Sequence, residues 1–225
     1  MISEPLSQYE EILKDAIRTS MTESGAKLAK TFQTLLIEIL TLYMILPRKI
    51  NFTQMARYGK HGEQTYRQNF NRKKKDCIDW LLLKLSLARR VLDMDGLRAI
   101  AIDPCYISKA GKKTPHIGRF WSGCAGAVKH GLEIMGVGLL DAASNKCMML
   151  RAHQTIGNSA LKMRNKILVE YYICVMKRYS KKLLSITDIV VADAFFSTST
   201  FEKGMSELGF YLVLSLIHIS EPTRP

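Results

Sequence analysis

The sequence predicts an α/β (α+β) protein, in which a helical N-terminal region precedes a mixed sheet with helices packed on it. Residues 1–95 carry apolar side chains at three- and four-residue spacing, the period of amphipathic helices. From about residue 96, short apolar runs bounded by turn residues take over, and helical segments then alternate with them, as in a sheet covered by helices. We expect two domains, 1–95 and 96–213.

Composition limits the classes of function. The 225 residues, 47% of them hydrophobic, suffice for one large domain or two small ones. The net charge of +13 predicts attraction to polyanions, nucleic acid before anionic membrane, although an ordinary basic enzyme stays an alternative. Five cysteines without a CxxC pair argue against zinc knuckles. The N-terminus lacks a signal-peptide pattern and no apolar run spans a bilayer, so we expect a soluble, cytosolic protein without a membrane partner.

The helical region contains a short helix, a tight turn and a second helix. In "INFTQMARYGKHGEQTYRQNFNRKKK" the first helix is predicted over Thr53–Tyr58, the turn over Gly59–Gly62 and the second helix from about Glu63 to Arg72. Short helix, turn and helix is the helix-turn-helix arrangement, which we place at about 48–75.

Charge around this motif favours DNA as its ligand. From Arg48 to Lys75 there are nine lysines and arginines against a single acid, Glu63. Basic side chains hold phosphates, while amide and guanidinium groups on the second helix are able to read base edges. A solvated basic helix is the alternative. The predicted DNA contacts in this region are Arg48, Lys49, Gln64, Arg67, Gln68, Arg72, Lys73, Lys74 and Lys75.

The second region predicts strands first and then helices alternating with strands. "LRAIAID" is expected to be a strand that ends at Asp103, and Asp141–Lys146 a hairpin connection. Trp121 is expected to pack within the protein. A long helix (160–184), a strand "DIVVAD" (188–193), a helix ending at Gly209 and a last strand "FYLVL" (210–214), which we expect to pair only partly, complete the order.

Two apolar strands each end in an aspartate, Asp103 and Asp193. Ligands gather at the carboxyl ends of the strands in open α/β sheets, so neighbouring strands would bring these carboxylates together. Close like charges repel unless a cation lies between them, and carboxylate oxygens suit Mg²⁺ or Mn²⁺. In a basic protein this favours metal-dependent phosphodiester cleavage or transfer. For each acid alone, a strand-end cap is the alternative reading.

Three separated motifs resemble the catalytic core of bacterial insertion-sequence transposases of the DDE type. They are "AIDPCYISKAGKKT", "FWSGCAGAVKHGLEIMGVGLLDA" and "VVADAFFSTSTFEKGMSELGFYLV". The resemblance covers roughly 30–213, and the helix-turn-helix precedes that core as in those proteins. It implies a ribonuclease-H-like fold with Asp103 as the first catalytic acid and Asp193 as the second.

The resemblance also implies a reaction and its partners. Metal-dependent hydrolysis at the ends of the element would be followed by attack of the freed 3′-hydroxyl on target DNA. The complete enzyme would use two Mg²⁺ or Mn²⁺ ions and act as a homodimer on double-stranded DNA, associated with the bacterial nucleoid. Lys109, Lys112 and Lys113 would line the DNA path, with exposed hairpin lysines as the alternative interpretation.

The chain departs from the pattern after Val213. A DDE enzyme needs a third acid, normally a glutamate on a downstream helix, and only Glu221 follows, in "LSLIHISEPTRP". This tail, 214–225, resembles a translated sequencing adapter, so we expect a fragment that binds DNA without cleaving it. The alternatives are a non-catalytic DNA-binding protein derived from a transposase and, more weakly supported, a metal-dependent phosphatase that uses Asp103.

Overall fold

Helices occupy the first part of the chain and strands dominate the second. The computed structural model describes residues 4–47, 50–71, 78–111, 114–163 and 167–215. These residues fall into two units, one within Met1–Val91 and the other within Leu92–Pro225. Across the described ranges, no helix has the length and apolar character needed to cross a membrane.

The first unit is helical throughout. Asn51 caps its third helix, because the Asn51 side-chain oxygen accepts a hydrogen bond of 2.8 Å from the backbone N–H of Gln54. The second helix ends where Leu46 turns to an extended conformation, as expected for a residue before proline. The helices are α1 (Glu4–Ser24), α2 (Lys30–Ile45), α3 (Phe52–Tyr58), α4 (Glu63–Asn71) and α5 (Trp80–Val91).

Helix α2 contributes to two apolar clusters. On one side Leu36 packs with Ala16, Ile17, Ile78 and Leu83. Burial of each large aliphatic side chain contributes about 1.5–3 kcal/mol, so these contacts stabilise the helices more than their intrinsic propensity does. The second cluster brings α3 and α4 against α2, and its buried members are Leu35, Ile39, Leu42, Met55 and Tyr66.

The second unit contains a six-stranded mixed sheet. Its strands and helices occur in the order expected from the apolar runs and turn residues, and the α/β class predicted from the sequence is confirmed. Its elements are β1 (Arg98–Ser108), β2 (Gly118–Ser122), β3 (Ala127–Asp141), β4 (Lys146–Gln154), α6 (Asn158–Met163), α7 (Leu168–Leu184), β5 (Ile189–Ala192), α8 (Ser199–Glu207) and β6 (Tyr211–Leu214).

The strands are ordered β2-β3-β1-β5-β6, and β4 also pairs with β3. Strands β1 to β4 form antiparallel pairs, and the predicted hairpin connection between β3 and β4 is confirmed. Strands β5 and β6 then join in parallel, β5 beside β1 and β6 beside β5. The parallel pairs need crossovers, which α7 and α8 supply.

One face of this sheet is covered by α7 and α8. Ile100, Val137 and Val190 share that face and are fully buried, because Ile100 pairs with Val190 and Ile102, two positions further along β1, pairs with Val137. From the helices, Tyr172 and Phe201 fill the layer beneath them.

Two element boundaries differ from the prediction. Strand β1 does not end at Asp103 but continues to Ser108, because β3 pairs with it over its whole length. The single helix predicted over 160–184 is divided into α6 and α7, since Ile167 is extended and its N–H donates to Glu170 at 3.2 Å, which starts α7 anew.

Two expectations about packing are also wrong. Trp121 does not pack within the protein but is 60% exposed on β2, opposite the exposed Val128 of β3. Strand β6 pairs with β5 through all four of its residues, and Ser215 N–H donates to the Ala192 carbonyl at 2.9 Å. The first residues of the segment 214–225 therefore continue the sheet, and 216–225 lie outside the described residues.

Candidate functional site

Asp103 and Asp193 lie beside each other on neighbouring parallel strands. The register places Ile100 opposite Val190 and Ala101 opposite Val191. Asp193 directly follows β5 and is still extended, with φ −77° and ψ 175°, so the same register brings it level with Asp103. Asp103 is in the middle of β1 rather than at its end. It lies level with the C-terminal end of the parallel strand β5, so both carboxylates lie at that end of β5.

The two carboxyl groups interact electrostatically. Both residues are exposed. Partial desolvation, and after it the nearby negative charge of Asp193, raise the pKa of Asp103 above its ordinary value. This mutual repulsion is the condition that a bound cation would relieve.

Asp193 is held in place by the turn that follows it. Its side chain accepts a hydrogen bond of 3.2 Å from the backbone N–H of Phe195 and so caps the 3-10 turn Ala194–Phe196. Phe196 anchors this turn because its ring is fully buried and lies 4.7 Å from the ring of Phe201 and 5.5 Å from that of Tyr172. The strand-end cap considered as an alternative is thus present, and it leaves the other carboxylate oxygen of Asp193 available.

Asp103 pairs across the strands with Gly136 of β3, and the space that a side chain at Gly136 would need is taken by Met149. A Cβ atom there would lie 3.2 Å from the terminal carbon of Met149 and 3.4 Å from the backbone oxygen of Asp103. Residues paired across strands share a face, so Asp103 projects from the side of the sheet opposite α7. This face and the end of β5 together form the site.

Two other acids of the unit do not belong to it. Glu133 is buried and precedes Gly136 by three positions, so it projects from the opposite face, where it accepts a hydrogen bond from the Tyr172 hydroxyl. Burial and the Glu133 charge together raise the pKa of Tyr172 far above its ordinary value. Asp141 accepts hydrogen bonds within the β3–β4 turn. Glu221 lies outside the described residues.

The donor set suits a divalent cation only in part. Two aspartate carboxylates are the hard oxygen ligands that Mg²⁺ and Mn²⁺ take. Within residues that the structure describes, no group of three or more histidines, cysteines, aspartates or glutamates is placed to hold a metal ion. The geometry therefore supplies two ligands for one ion, with further ligands to come from elsewhere.

In the first unit a buried network fixes the turn between α3 and α4. Glu38 of α2 accepts hydrogen bonds from the Tyr66 hydroxyl and from the Lys60 N–H, the latter at 2.6 Å, and its other oxygen lies 2.8 Å from Nδ1 of His61. Burial and the bond to Glu38 raise the pKa of Tyr66 to about 12. Desolvation opposes ionisation of Glu38, but the hydrogen bonds from Tyr66 and Lys60 outweigh it and lower the pKa of Glu38.

Gly59 is required by this network. A Cβ atom at that position would lie 2.1 Å from the Tyr66 hydroxyl oxygen and 2.8 Å from Oε1 of Glu38. One signal for the network is present in the sequence, since Glu38 is the single acidic residue of α2 and lies within its apolar run LLIEIL. Its partners are brought to it only by tertiary packing.

Some of the predicted DNA contacts lie on the exposed surface of α4. Gln64, Arg67 and Gln68 are exposed there. The Arg67 guanidinium pairs with Glu63 and lies 5.0 Å from the ring centroid of Phe52, so it is already engaged within the protein. Lys109 is exposed just after β1. The other predicted contacts lie outside the described residues: Arg48, Lys49, Arg72, Lys73, Lys74, Lys75, Lys112 and Lys113.

Comparison with known families finds one match that spans parts of both units. A family model described as DDE superfamily endonuclease matches residues 25–163. The matched segment includes α3, α4, β1 and Asp103, and it ends before Asp193. No curated protein matches the chain.

Proposed function

Because the chain belongs to the DDE superfamily of endonucleases, we propose that it derives from a DNA transposase whose active site is built on Asp103 and Asp193. The family implies DNA as the substrate and a nuclease-like or transposase-like activity. The mixed sheet of the second unit is consistent with the ribonuclease-H-like fold of such enzymes.

The observation that carries the proposal is the pairing of the two aspartates. They lie level on adjacent parallel strands, and the charge of Asp193 contributes to raising the pKa of Asp103. Bound there, Mg²⁺ or Mn²⁺ would supply charge stabilisation at a phosphodiester and an activated water. Asp103 and Asp193 would hold the ion, and the Phe195 N–H orients the Asp193 carboxylate.

A third acid is needed for the complete reaction, which we propose to be cleavage of element ends and transfer of the freed 3′-hydroxyl to target DNA. We place that acid outside the described residues. The proposal includes an origin in a bacterial insertion sequence, with 214–225 as foreign sequence resembling an adapter. This chain would then bind DNA without cleaving it.

DNA binding is assigned to α3 and α4. The exposed Gln64 and Gln68 lie on α4, whose position is fixed through Tyr66 and the Glu38 network. Double-stranded DNA would be the partner, with two copies of the complete enzyme acting together near the nucleoid. A second candidate function, a DNA-binding protein without catalysis, is favoured by the two-acid site: no third metal ligand is placed there by the described part of the chain.

Mn²⁺ titration monitored by electron paramagnetic resonance tests the metal site. We expect weak binding by the wild type and a loss of at least about tenfold in affinity in Asp103→Asn and in Asp193→Asn. Asp188→Asn is the matched control, because Asp188 is exposed at the opposite end of the same strand, just before β5. Equal affinities in all four proteins would exclude the site.

A plasmid-cleavage assay with Mn²⁺ separates the two candidate functions. We expect no cleavage by this chain, and restored cleavage when a chain continuing in the same reading frame past codon 213 supplies a helical glutamate. If that longer chain binds Mn²⁺ and DNA but does not cleave the plasmid, the result favours a DNA-binding protein without catalysis. Cleavage by the present chain would mean that a third ligand has been overlooked.

A further inference from the structure

A cluster of three basic side chains belongs to β4 and α7 of the second unit, on the face of the sheet opposite Asp103. Arg151 and His153 are two positions apart on β4 and face Val137 and Met135 of β3, on the side of the sheet that α7 covers. Arg178 belongs to α7 and is exposed. We call these three residues, Arg151, His153 and Arg178, the β4–α7 basic cluster.

Two tyrosines of α7 fix the β4 members of the cluster. Nε of Arg151 donates to the Tyr179 hydroxyl at 3.2 Å, and the guanidinium carbon lies 5.9 Å from the centroid of that ring. Nε2 of His153 lies 3.1 Å from the hydroxyl oxygen of Tyr171. The Tyr171 hydroxyl donates its proton to the Gln154 carbonyl at 3.0 Å, so Nε2 of His153 is the donor to Tyr171 and Nδ1 is left to take up a proton.

Within the described residues, the two arginines of the cluster have no carboxylate partner. Burial, then Arg178 and then Arg151 lower the pKa of His153, so both arginines are within electrostatic reach of that ring. The C-terminal end of a helix attracts cations, which accounts for Lys181 and Lys182 in the last turn of α7 but not for arginine and histidine on an adjacent strand.

We propose that the β4–α7 basic cluster binds one phosphate of a DNA backbone. Arginine matches the oxygens of a phosphate with its planar fork, and a preformed donor set binds an anion with little loss of side-chain entropy. An anion would also offset the repulsion between the two arginines and the charged His153 ring. The phosphate itself is inferred from the cluster; its assignment to DNA depends on the proposed function.

Inorganic phosphate is the first probe, and the histidine ring signals in NMR are the readout. A bound anion favours the charged imidazole, so saturating phosphate should raise the pKa of His153 by about one pH unit relative to sodium chloride of equal ionic strength. His153→Gln assigns the signal. The exposed His116 and His130 lie outside the β4–α7 basic cluster and are the internal controls. Identical His153 titrations in the two salts would overturn the anion site.

Fluorescence anisotropy with a labelled duplex is the second arm. Arg178→Gln should weaken binding several-fold and reduce the slope of log affinity against log salt by about 0.9, the loss of one phosphate contact. Lys203→Gln removes an equally exposed charge from α8 and should leave the slope unchanged. Arg178 is exposed, so the fold should persist, which circular dichroism verifies.

The two arms separate the inference from the proposed function. A wild-type chain that does not bind duplex DNA contradicts the proposed function, while the His153 titration still decides whether the anion site exists. Normal DNA binding with the same salt slope in Arg178→Gln and the wild type would overturn the DNA contact alone.

Discussion

The Asp141 carboxylate stabilises the turn between β3 and β4. Its oxygens accept hydrogen bonds from the side chain and N–H of Ser144 and from the N–H groups of Asp93 and Ala143. These bonds, first among them the one from the Ser144 side chain, lower the pKa of Asp141 from 3.8 to about 2. Since the folded-state pKa is the lower one, its contribution to stability is present above about pH 4 and is lost as the pH falls toward 2.

We therefore expect Asp141→Asn to lower the free energy of unfolding at pH 7 and to lose part of the acid dependence between pH 4 and 2. Urea unfolding at pH 7 and pH 2.5 measures both effects. Asp95→Asn, which changes an exposed loop aspartate, is the control and should resemble the wild type. A pH dependence identical in Asp141→Asn and the wild type would show that these bonds do not favour the charged form.

Single residues differ in how well the sequence predicts their roles. Asp103 and Asp193 can be proposed as a pair because each follows an apolar run, a local pattern that the chain itself displays. Their approach to each other depends on the β1–β5 pairing, which an apolar run does not specify. Arg151 and His153 were not identified, since their common face and their tyrosine partners appear only when β4 and α7 pack.

At the scale of elements, the α3–α4 turn illustrates how a glycine can be required by its neighbours. Gly59→Ala would place a methyl group against the Tyr66 hydroxyl and Glu38, and would separate the buried hydroxyl from the half-buried carboxylate to which it donates. We expect it to cost about 2 kcal/mol in stability, because a buried donor or acceptor left unpaired costs about 1–3 kcal/mol. Thermal unfolding followed by circular dichroism measures this loss.

Gly62→Ala is the matched control, from the same turn. Nothing lies within 4 Å of its added Cβ, so the change should cost less than about 1 kcal/mol, the scale of a weakened helix start. Equal melting temperatures for the two variants would mean that the Glu38 network does not hold the turn.

Elements with strong local signals were predicted well, and those set by tertiary pairing were not. Glycine and the apolar period marked α3, α4 and the β3–β4 hairpin. The extension of β1 beyond Asp103 was missed because Pro104 reads as a strand end. A proline is accommodated there because it needs no donor on the side where β5 has already stopped. The break between α6 and α7 was missed because the apolar spacing continues across it.

At the scale of the whole molecule, the sheet combines near and distant pairings. Strands β1 to β4 pair within residues 98–154, mostly through neighbouring hairpins. Strands β5 and β6 join from residues 189–214, so that Ile100 meets a residue about ninety positions away. The helices between these strands cover one face of the sheet. The alternation of helices and strands in the sequence indicates this arrangement, but it does not indicate the order of the strands.

This division of the sheet has a consequence in time. Closing a long loop costs entropy before its contacts stabilise the chain, so the antiparallel strands should assemble first and the parallel pair last. Val137 on β3 and Val190 on β5 are equally buried and permit a matched comparison. Each Val→Ala change should cost about 2 kcal/mol, but Val137→Ala should slow refolding, whereas Val190→Ala should mainly speed unfolding.

Stopped-flow refolding and unfolding of the two variants measures the difference, and equal effects on the refolding rate would refute this order of assembly. The order also determines when the acidic pair comes into being. Asp103 belongs to the early strands and Asp193 follows a late one, so the affinity for Mn²⁺ that we propose for this pair would arise only in the final folding step. The electron paramagnetic resonance signal of Mn²⁺, recorded during refolding, would then report when β5 has paired with β1.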